Sequence, residues 1–339
     1  MVQRILIPLD GSLRAEQAIP VAARLARASS HSSIILVRVV DVFPDFSWQI
    51  AEGPPDLTDA LEVARANANA YLEKMATVDV VRGLNVTTRV IEGKPADAIL
   101  DTAQSMQADL IVMSSHGHTS LKRWVLGSVA QAIERHSAIP VLLLRDQVGS
   151  SERILHRMTG PIRVMVALDG TPLSEAVLPV AAAISADLSS PLPGALHLAM
   201  MVPEPLQEHG SRTTGTYTKA IQGAQSYLNR LSKRLRHDPQ VGSTVEITSS
   251  ISLQSKVSET LVKLAEIGAE MKGVSPFTGY DLIAMATHEQ ENIDRWLYAS
   301  ATEQVLDATK VPVLVIRPER TETGAAYDTN NTHYGSFAV

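Results

Sequence analysis

Residues 4–25 read RILIPLDGSLRAEQAIPVAARL, and residues 163–184 read RVMVALDGTPLSEAVLPVAAAI. At an offset of 159, Asp10-Gly11-Ser12 falls on Asp169-Gly170-Thr171 and Pro20 falls on Pro179. Each stretch opens with an aliphatic run, passes an Asp-Gly-hydroxyl turn and continues as an Ala-rich helical pattern. The opening run does not alternate between apolar and polar residues. A strand of that kind is buried on both faces, as in a parallel sheet covered by helices. Further on, Leu110-Ile111-Val112-Met113 matches Leu282-Ile283-Ala284-Met285, and Ile139-Pro140-Val141 matches Val311-Pro312-Val313, followed by Arg145 and Arg317. These pairs are 172 apart, so one unit is written twice, with about 13 extra residues in the second copy. Much of the addition is expected in the Gly-containing stretch 266–281.

Working outward, the first copy offers strand signals at 4–9, 34–40, 86–91, 110–114 and 141–145, with helical patterns at 13–28, 57–81, 96–107 and 128–135 between them. Strand-helix alternation of this kind gives a doubly wound, Rossmann-like α/β sheet. The expected architecture is two five-stranded, mainly parallel sheets in tandem. The expected division is 1–146 and 161–318, joined by a short polar linker at 147–160. The polar Gly/Thr/Asn-rich tail, 319–339, is expected to be disordered.

Composition narrows the function classes. A chain of 339 residues fits two domains, and 45% hydrophobic with 19% charged residues excludes a largely disordered chain. Aromatics are only 4%, which predicts an aliphatic core. The formal net charge of -6 argues against a broad basic face for nucleic acid. With no cysteine there is no disulfide, thiolate metal site, iron-sulfur cluster or Cys nucleophile. No apolar stretch reaches the roughly 18 residues that would span a bilayer. The N-terminus reads as a buried strand rather than a signal peptide, so a cytoplasmic location is expected.

In doubly wound sheets, ligands bind beyond the C-terminal strand ends where the strand order reverses. Two segments fall there. The first is Pro8-Leu9-Asp10-Gly11-Ser12. Asp10 or Ser12 can cap the following helix, and Thr171-Pro172 in the second copy looks like an N-cap followed by Pro. Asp10 can equally accept hydrogen bonds from a sugar or base, and the two readings are compatible. The second segment runs from Met113 and Ser114 through Gly117, His118, Lys122 and Arg123 to Gly127, Ser128 and Val129. Its glycines allow close backbone approach, its helix start offers free N–H donors to an anion, and it carries two cations. The residues alone also fit an ordinary loop with a turn glycine and an N-cap serine. There is no P-loop, no G-x-G-x-x-G after a strand and no G-x-S-x-G elbow.

The chain resembles a tandem universal stress protein over both copies. Nucleotide-binding members of that family carry G-x2-G-x9-G-[ST] after the fourth strand. The first copy reads Ser114-x2-Gly117-x9-Gly127-Ser128, matching three of four marks, with Ser where the pattern has its first glycine. Asp10 fills the family's Asp at the end of the first strand, and Val39 its hydrophobic residue at the end of the second. The resemblance implies ATP, ADP or AMP, usually with Mg2+. Adenine would be held by backbone groups near Val39, Asp10 would lie at the nucleoside end, and the Gly117 and Gly127-Ser128 region would cradle ribose and phosphates. It also implies that 141–145 pairs with a partner strand, which 313–317 can supply within the chain as a pseudo-two-fold mate. A homodimer and an unknown protein partner are further expectations.

In the second copy Gly117 becomes Glu289 and Gly127 becomes Ala299, while Ser300 remains. The first loop carries Lys122 and Arg123, +2, against Glu289, Glu291, Asp294 and Arg295 in the second, -3 + 1 = -2. Carboxylates repel phosphate, so only the N-terminal copy is expected to hold nucleotide. No catalytic set is visible, and any ATP hydrolysis is expected to be slow. The alternative is a nucleotide-independent dimerisation or interaction module of the stress response. His116-Gly117-His118 lacks further ligands, so no dedicated metal site is expected. Trp124 and Trp296 coincide in the repeat and read as packing, while Trp48 fits a flap or a contact surface. His197, His209 and His237 read as surface or loop residues, and His31 and His136 as solvated helix ends.

Overall fold

In the computed structural model of the chain, residues 2–41, 57–115, 126–145, 160–203, 214–254, 256–267, 279–287 and 296–318 are described. The first half contains β1 (Arg4–Pro8), α1 (Leu13–Glu16), α2 (Ala18–Arg27), β2 (Ser33–Val40), α3 (Leu57–Ala76), β3 (Asn85–Glu92), α4 (Pro95–Ser105), β4 (Leu110–Ser114), α5 (Ser128–His136) and β5 (Val141–Leu144). The second contains β6 (Arg163–Leu168), α6 (Pro172–Glu175), α7 (Leu178–Ser189), β7 (Gly194–Pro203), α8 (Thr214–His237), β8 (Val245–Gln254), α9 (Val257–Ile267), β9 (Leu282–Ala286), α10 (Trp296–Ala308) and β10 (Val313–Ile316).

The expected first helix, 13–28, is broken at Gln17, and its counterpart is broken at residues 176–177. The repeated proline explains both breaks. Pro20 cannot donate to the Glu16 carbonyl, and its ring would clash there; Pro179 stands in the same relation to Glu175. Glu16 and Glu175 are the last residues of α1 and α6, and α2 and α7 start afresh with proline in the first turn, where the N–H is not needed. The helix expected at 57–81, α3, stops at Ala76, five residues short, and a 3-10 turn covers Asp79–Val81.

All ten strands form one sheet in the order β3-β2-β1-β4-β5-β10-β9-β6-β7-β8. Each half is parallel, so two five-stranded, doubly wound sheets meet edge to edge. The joint is antiparallel, with Val313 opposite Leu143, Leu314 opposite Leu142 and Val315 opposite Val141. The intramolecular pairing of the last strands is thus present. Leu142 and Leu314 are repeat counterparts, so the pseudo-two-fold axis passes between them.

Alternation along β5 and β10 sends Leu142, Leu144, Leu314 and Ile316 into one core layer, and Val141, Leu143, Val313 and Val315 into the other. The first layer lies under α2, α3, α7 and α8, and the second under α4, α5, α9 and α10. Both layers therefore run through the joint. The core is aliphatic as composition requires: among the described residues, Tyr280 is its only fully buried aromatic side chain. Outside the sheet, Arg24 of α2 donates to the Leu188 carbonyl of α7, and Arg135 of α5 donates through Nε to Glu303 of α10 at 3.1 Å. At the N-terminal end of the strands, Asp109 accepts the backbone N–H of Gln3 and Arg4 at 3.0 and 2.8 Å. Asp281 accepts that of Arg163 at 2.8 Å.

The register locates the added residues. Arg4 corresponds to Arg163 (offset 159), Ser33 to Ala195 (162), Asn85 to Glu246 (161), and Leu110 to Leu282 (172). Eleven therefore enter between the third and fourth strands of the second half, much as expected. His197 corrects the surface or loop reading. It is 3% exposed in β7, with Nδ1 2.8 Å from Thr248 Oγ1 and Nε2 2.8 Å from Ser250 Oγ. Two hydroxyls that satisfy both ring nitrogens let an imidazole be buried neutral. His31, His136 and His237 are exposed. Trp48, Trp124, His116, His118, His209, the expected linker but for its last residue, and the tail lie outside the described residues, as does the side chain of Trp296.

Candidate functional site

β1 is flanked by β2 on one side and β4 on the other, so strand order reverses between β1 and β4. The sequence-predicted residues gather at that crevice, beyond the C-terminal strand ends. Pro8 ends β1, and the Leu9 N–H donates to the Val37 carbonyl at 2.8 Å. Gly11 then takes φ +86°, a left-handed conformation that suits glycine. The Asp10 carboxylate accepts the Ser12 N–H at 2.9 Å and the Ser12 hydroxyl at 2.6 Å. Ser12 Oγ in turn accepts the Ala15 N–H at 3.1 Å and caps α1. The second half repeats this through Asp169, Gly170 (φ +86°), Thr171 and Ser174. Capping is therefore a function of the Asp-Gly-hydroxyl turn in both copies, and Asp10 by itself does not distinguish them.

On the other wall, Met113 and Ser114 end β4 as buried residues. The Ser115 N–H continues the ladder to the Leu144 carbonyl at 2.8 Å, and the Gly127 N–H returns to the Ser115 carbonyl at 2.9 Å. The two ends of the glycine loop are thus clamped together at the sheet edge. Gly117, His118, Lys122 and Arg123, between them, lie outside the described residues. Gly127 is the N-cap of α5, with φ -63° and ψ 149°, and has no side chain with which to cap it. Ser128 is exposed and Val129 partly so. α5 opens with no acidic residue in its first turn, which leaves a helix N-terminus suited to an anion. Val39, partly buried against the second core layer, lies at the end of β2 opposite Ile91.

The second half departs from this at one place. Its last helix, α10, starts at Trp296, whereas the counterpart of Ser128, the first residue of α5, is Ser300. Among the described residues, the helix is at least one turn longer at its N-terminus, and Ala299 lies within it where Gly127 is a cap. Alanine favours the helix interior where glycine disfavours it. At about 1.5 Å per residue, four residues put the first turn of α10 at least about 6 Å from the place that of α5 occupies in the first half.

Three further residues at the first crevice escaped the sequence reading. The Arg38 guanidinium lies 4.7 Å from the centre of the Tyr71 ring. It also covers Gly11, where an added Cβ would come 2.7 Å from Nη1. The Tyr71 hydroxyl donates to Glu16 at 3.1 Å, and burial, then Glu16, raises its pKa. The repeat held a signal for part of this. Tyr227 donates to Glu175 at 2.8 Å in the second half, where Arg234 also pairs with that carboxylate. Arg38, however, corresponds in register to Met200, whose Cε would lie 3.2 Å from a Cβ at Gly170. Among the described residues, no group of three or more His, Asp or Glu is placed to hold a metal ion, and no helix is long and apolar enough to cross a membrane.

Comparison with known proteins agrees with this architecture. A universal stress protein of Methanocaldococcus jannaschii is 33% identical over 145 residues, 43% of this chain and 83% of that protein. One from Thermus aquaticus is 33% identical over 147 residues, 43% of this chain and its whole length. The crystal structure of a universal stress protein from Archaeoglobus fulgidus superposes with a TM-score of 0.59 at 18% identity, covering 93% of this chain and 98% of that one, a likeness of fold. The family model of the universal stress proteins matches residues 1–145 and again 162–317, and the chain accordingly belongs to the universal stress protein family, with two such domains in tandem.

Proposed function

We propose that this protein binds an adenine nucleotide (ATP, ADP or AMP) through its N-terminal domain only, and works as a binding and signalling protein of the stress response rather than as an enzyme. The working division is a nucleotide-binding domain at 1–146, a linker at 147–160, a second domain at 161–318 and a tail at 319–339. Pro8, Leu9, Asp10 and Val39 would take the nucleoside. Met113, Ser114, Gly117, His118, Gly127, Ser128 and Val129 would take the ribose and phosphates, with Mg2+ arriving on the phosphates.

The observation that carries this reading is the helix start. In the first domain α5 opens at Gly127-Ser128 beside the crevice, with a glycine N-cap that supplies no side-chain cap. In the second domain the helix already runs at Trp296, at least a turn earlier, and the equivalent loop is acidic in sequence. A ligand that binds the native state stabilises it by about 2.7 kcal/mol at a hundredfold excess over Kd. Thermal melting with millimolar ATP and magnesium should therefore rise, and isothermal titration should give one site per chain. Two equivalent sites would refute the assignment to one domain. No shift at all would favour a nucleotide-independent interaction module, a reading that draws on Ser114 in place of the family's glycine.

A further inference from the structure

We propose that Arg38 is a positioning residue for the nucleoside end of the site, holding the Asp10-Gly11 turn from above by packing its guanidinium between the Tyr71 ring and the bare Cα of Gly11. This rests on the nucleotide-binding reading and adds to it a residue outside the family motif.

Four observations support the assignment. Arg38 is the next-to-last inward position before β2 runs out, one residue before Val39, on the face opposite to it. Its guanidinium carbon lies over the Tyr71 ring, 4.7 Å from the centroid, within the range of cation–π attraction. Tyr71 is itself fixed through its hydroxyl to Glu16, on the helix that the Asp10 turn starts. The guanidinium also fills the space a side chain at residue 11 would need, so glycine there admits the arginine as well as the left-handed turn. The clamp thus joins the ends of β1 and β2, α1 and α3 around the Asp10 turn.

The second domain supplies a natural comparison. It keeps the Asp-Gly turn, the hydroxyl cap and the Tyr-Glu pair, but holds Met200 in place of Arg38, while its cation, Arg234, sits on the outer side of Glu175. The turn therefore folds without the arginine. What a methionine cannot do is hold the turn with a planar, fixed group. It has three rotatable bonds and no directed donors.

The test is Arg38→Met, the residue its counterpart position already accommodates, with Arg38→Lys beside it. Titrations of ATP and of adenosine are followed by calorimetry, with melting temperature as the control for folding. If Arg38 positions the carboxylate, ATP and adenosine both weaken by a similar factor. About tenfold is expected, the value of one well-placed hydrogen bond to a charged group. Tripolyphosphate, which meets only the phosphate end, is unaffected, and lysine does not restore the loss. An effect on ATP but not on uncharged adenosine would mean that Arg38 acts only as a charge, and would overturn the proposal. So would full rescue by lysine, or unchanged affinities with both ligands. Failure of the wild-type protein to bind either ligand would overturn the nucleotide reading itself and this inference with it.

Discussion

Replacing Leu142 by alanine tests whether the two domains share one core. Leu142 is 0% exposed and sits directly opposite Leu314, also 0% exposed, at the centre of the antiparallel joint. Both belong to the layer that continues under α2 in one domain and α7 in the other. Leu→Ala in a close-packed core costs about 2–5 kcal/mol, and full burial on both sides of the sheet leaves little room for collapse. At about 2.1 cal/mol/K of unfolding entropy per residue, a chain of 339 residues shifts by about 1.4 °C per kcal/mol, so the melting temperature should fall by roughly 3–7 °C. Scanning calorimetry of wild type, Leu142→Ala, Leu314→Ala and the double variant should give a single transition each time. Because the two side chains face the same space, the double variant should depart from additivity by more than about 0.5 kcal/mol. Two separate transitions, only one of them moved by Leu142→Ala, would refute the shared core. Additive costs would refute direct contact across the axis.

The remaining predictions concern the site and one buried group. Gly127→Ala should keep the fold, since Gly127 has φ -63°, but should let α5 grow backwards as α10 does. ATP affinity should drop by about 10–100-fold, one charge-assisted bond to the helix end; an unchanged Kd by titration would contradict this. His197 has its pKa lowered from 6.5 to about 4 by burial. The unfolded chain takes up this proton near pH 6.5 and the folded chain only near 4, so the His197 contribution to stability is complete above about 6.5 and is lost as pH falls towards 4. The loss should approach about 3 kcal/mol, read from urea midpoints between pH 4 and 7. It should vanish in His197→Gln; the same slope in that variant would assign it elsewhere.

The two half-sheets were legible because the aliphatic runs and the Asp-Gly turns are local patterns that recur at offsets of 159 and 172; the pseudo-two-fold pairing of the last strands was implied by the family resemblance. The break at Gln17 was legible in principle, since Pro20 forbids the Glu16 hydrogen bond, but a continuous Ala-rich pattern concealed it. His197 was misread because nothing local tells a solvated histidine from one in a buried strand. Its partners, Thr248 and Ser250, lie 51 and 53 residues away. The candidate site divides the same way. Asp10, Ser114, Gly127 and Ser128 follow from motif spacing, whereas Arg38 against Gly11 and Tyr71 depends on three elements meeting. The early start of α10 was foreshadowed by Ala299 alone, a residue compatible with either boundary.

The antiparallel joint also bears on why a second domain would be kept if, as proposed, only the first binds nucleotide. It reverses the strand direction, so the crevice by Asp10 opens at one edge of the sheet and that by Asp169 at the other. The two crevices are therefore far apart. The joint itself is less free to change. Without β10, the edge of β5 would present an unpaired Val-Leu-Leu-Leu strand to solvent, a template for aggregation. α5 carries the candidate anion site at its N-terminus, and about 13 Å away its last turn places Arg135 on Glu303 and the buried Glu134 within the field of Arg317. Burial raises the Glu134 carboxyl pKa, and the Arg317 guanidinium offsets part of that rise. The second domain thus fixes the far end of the helix whose near end would meet phosphate. Its own crevice can diverge so long as β10, α7 and α10 keep the faces that the first domain buries.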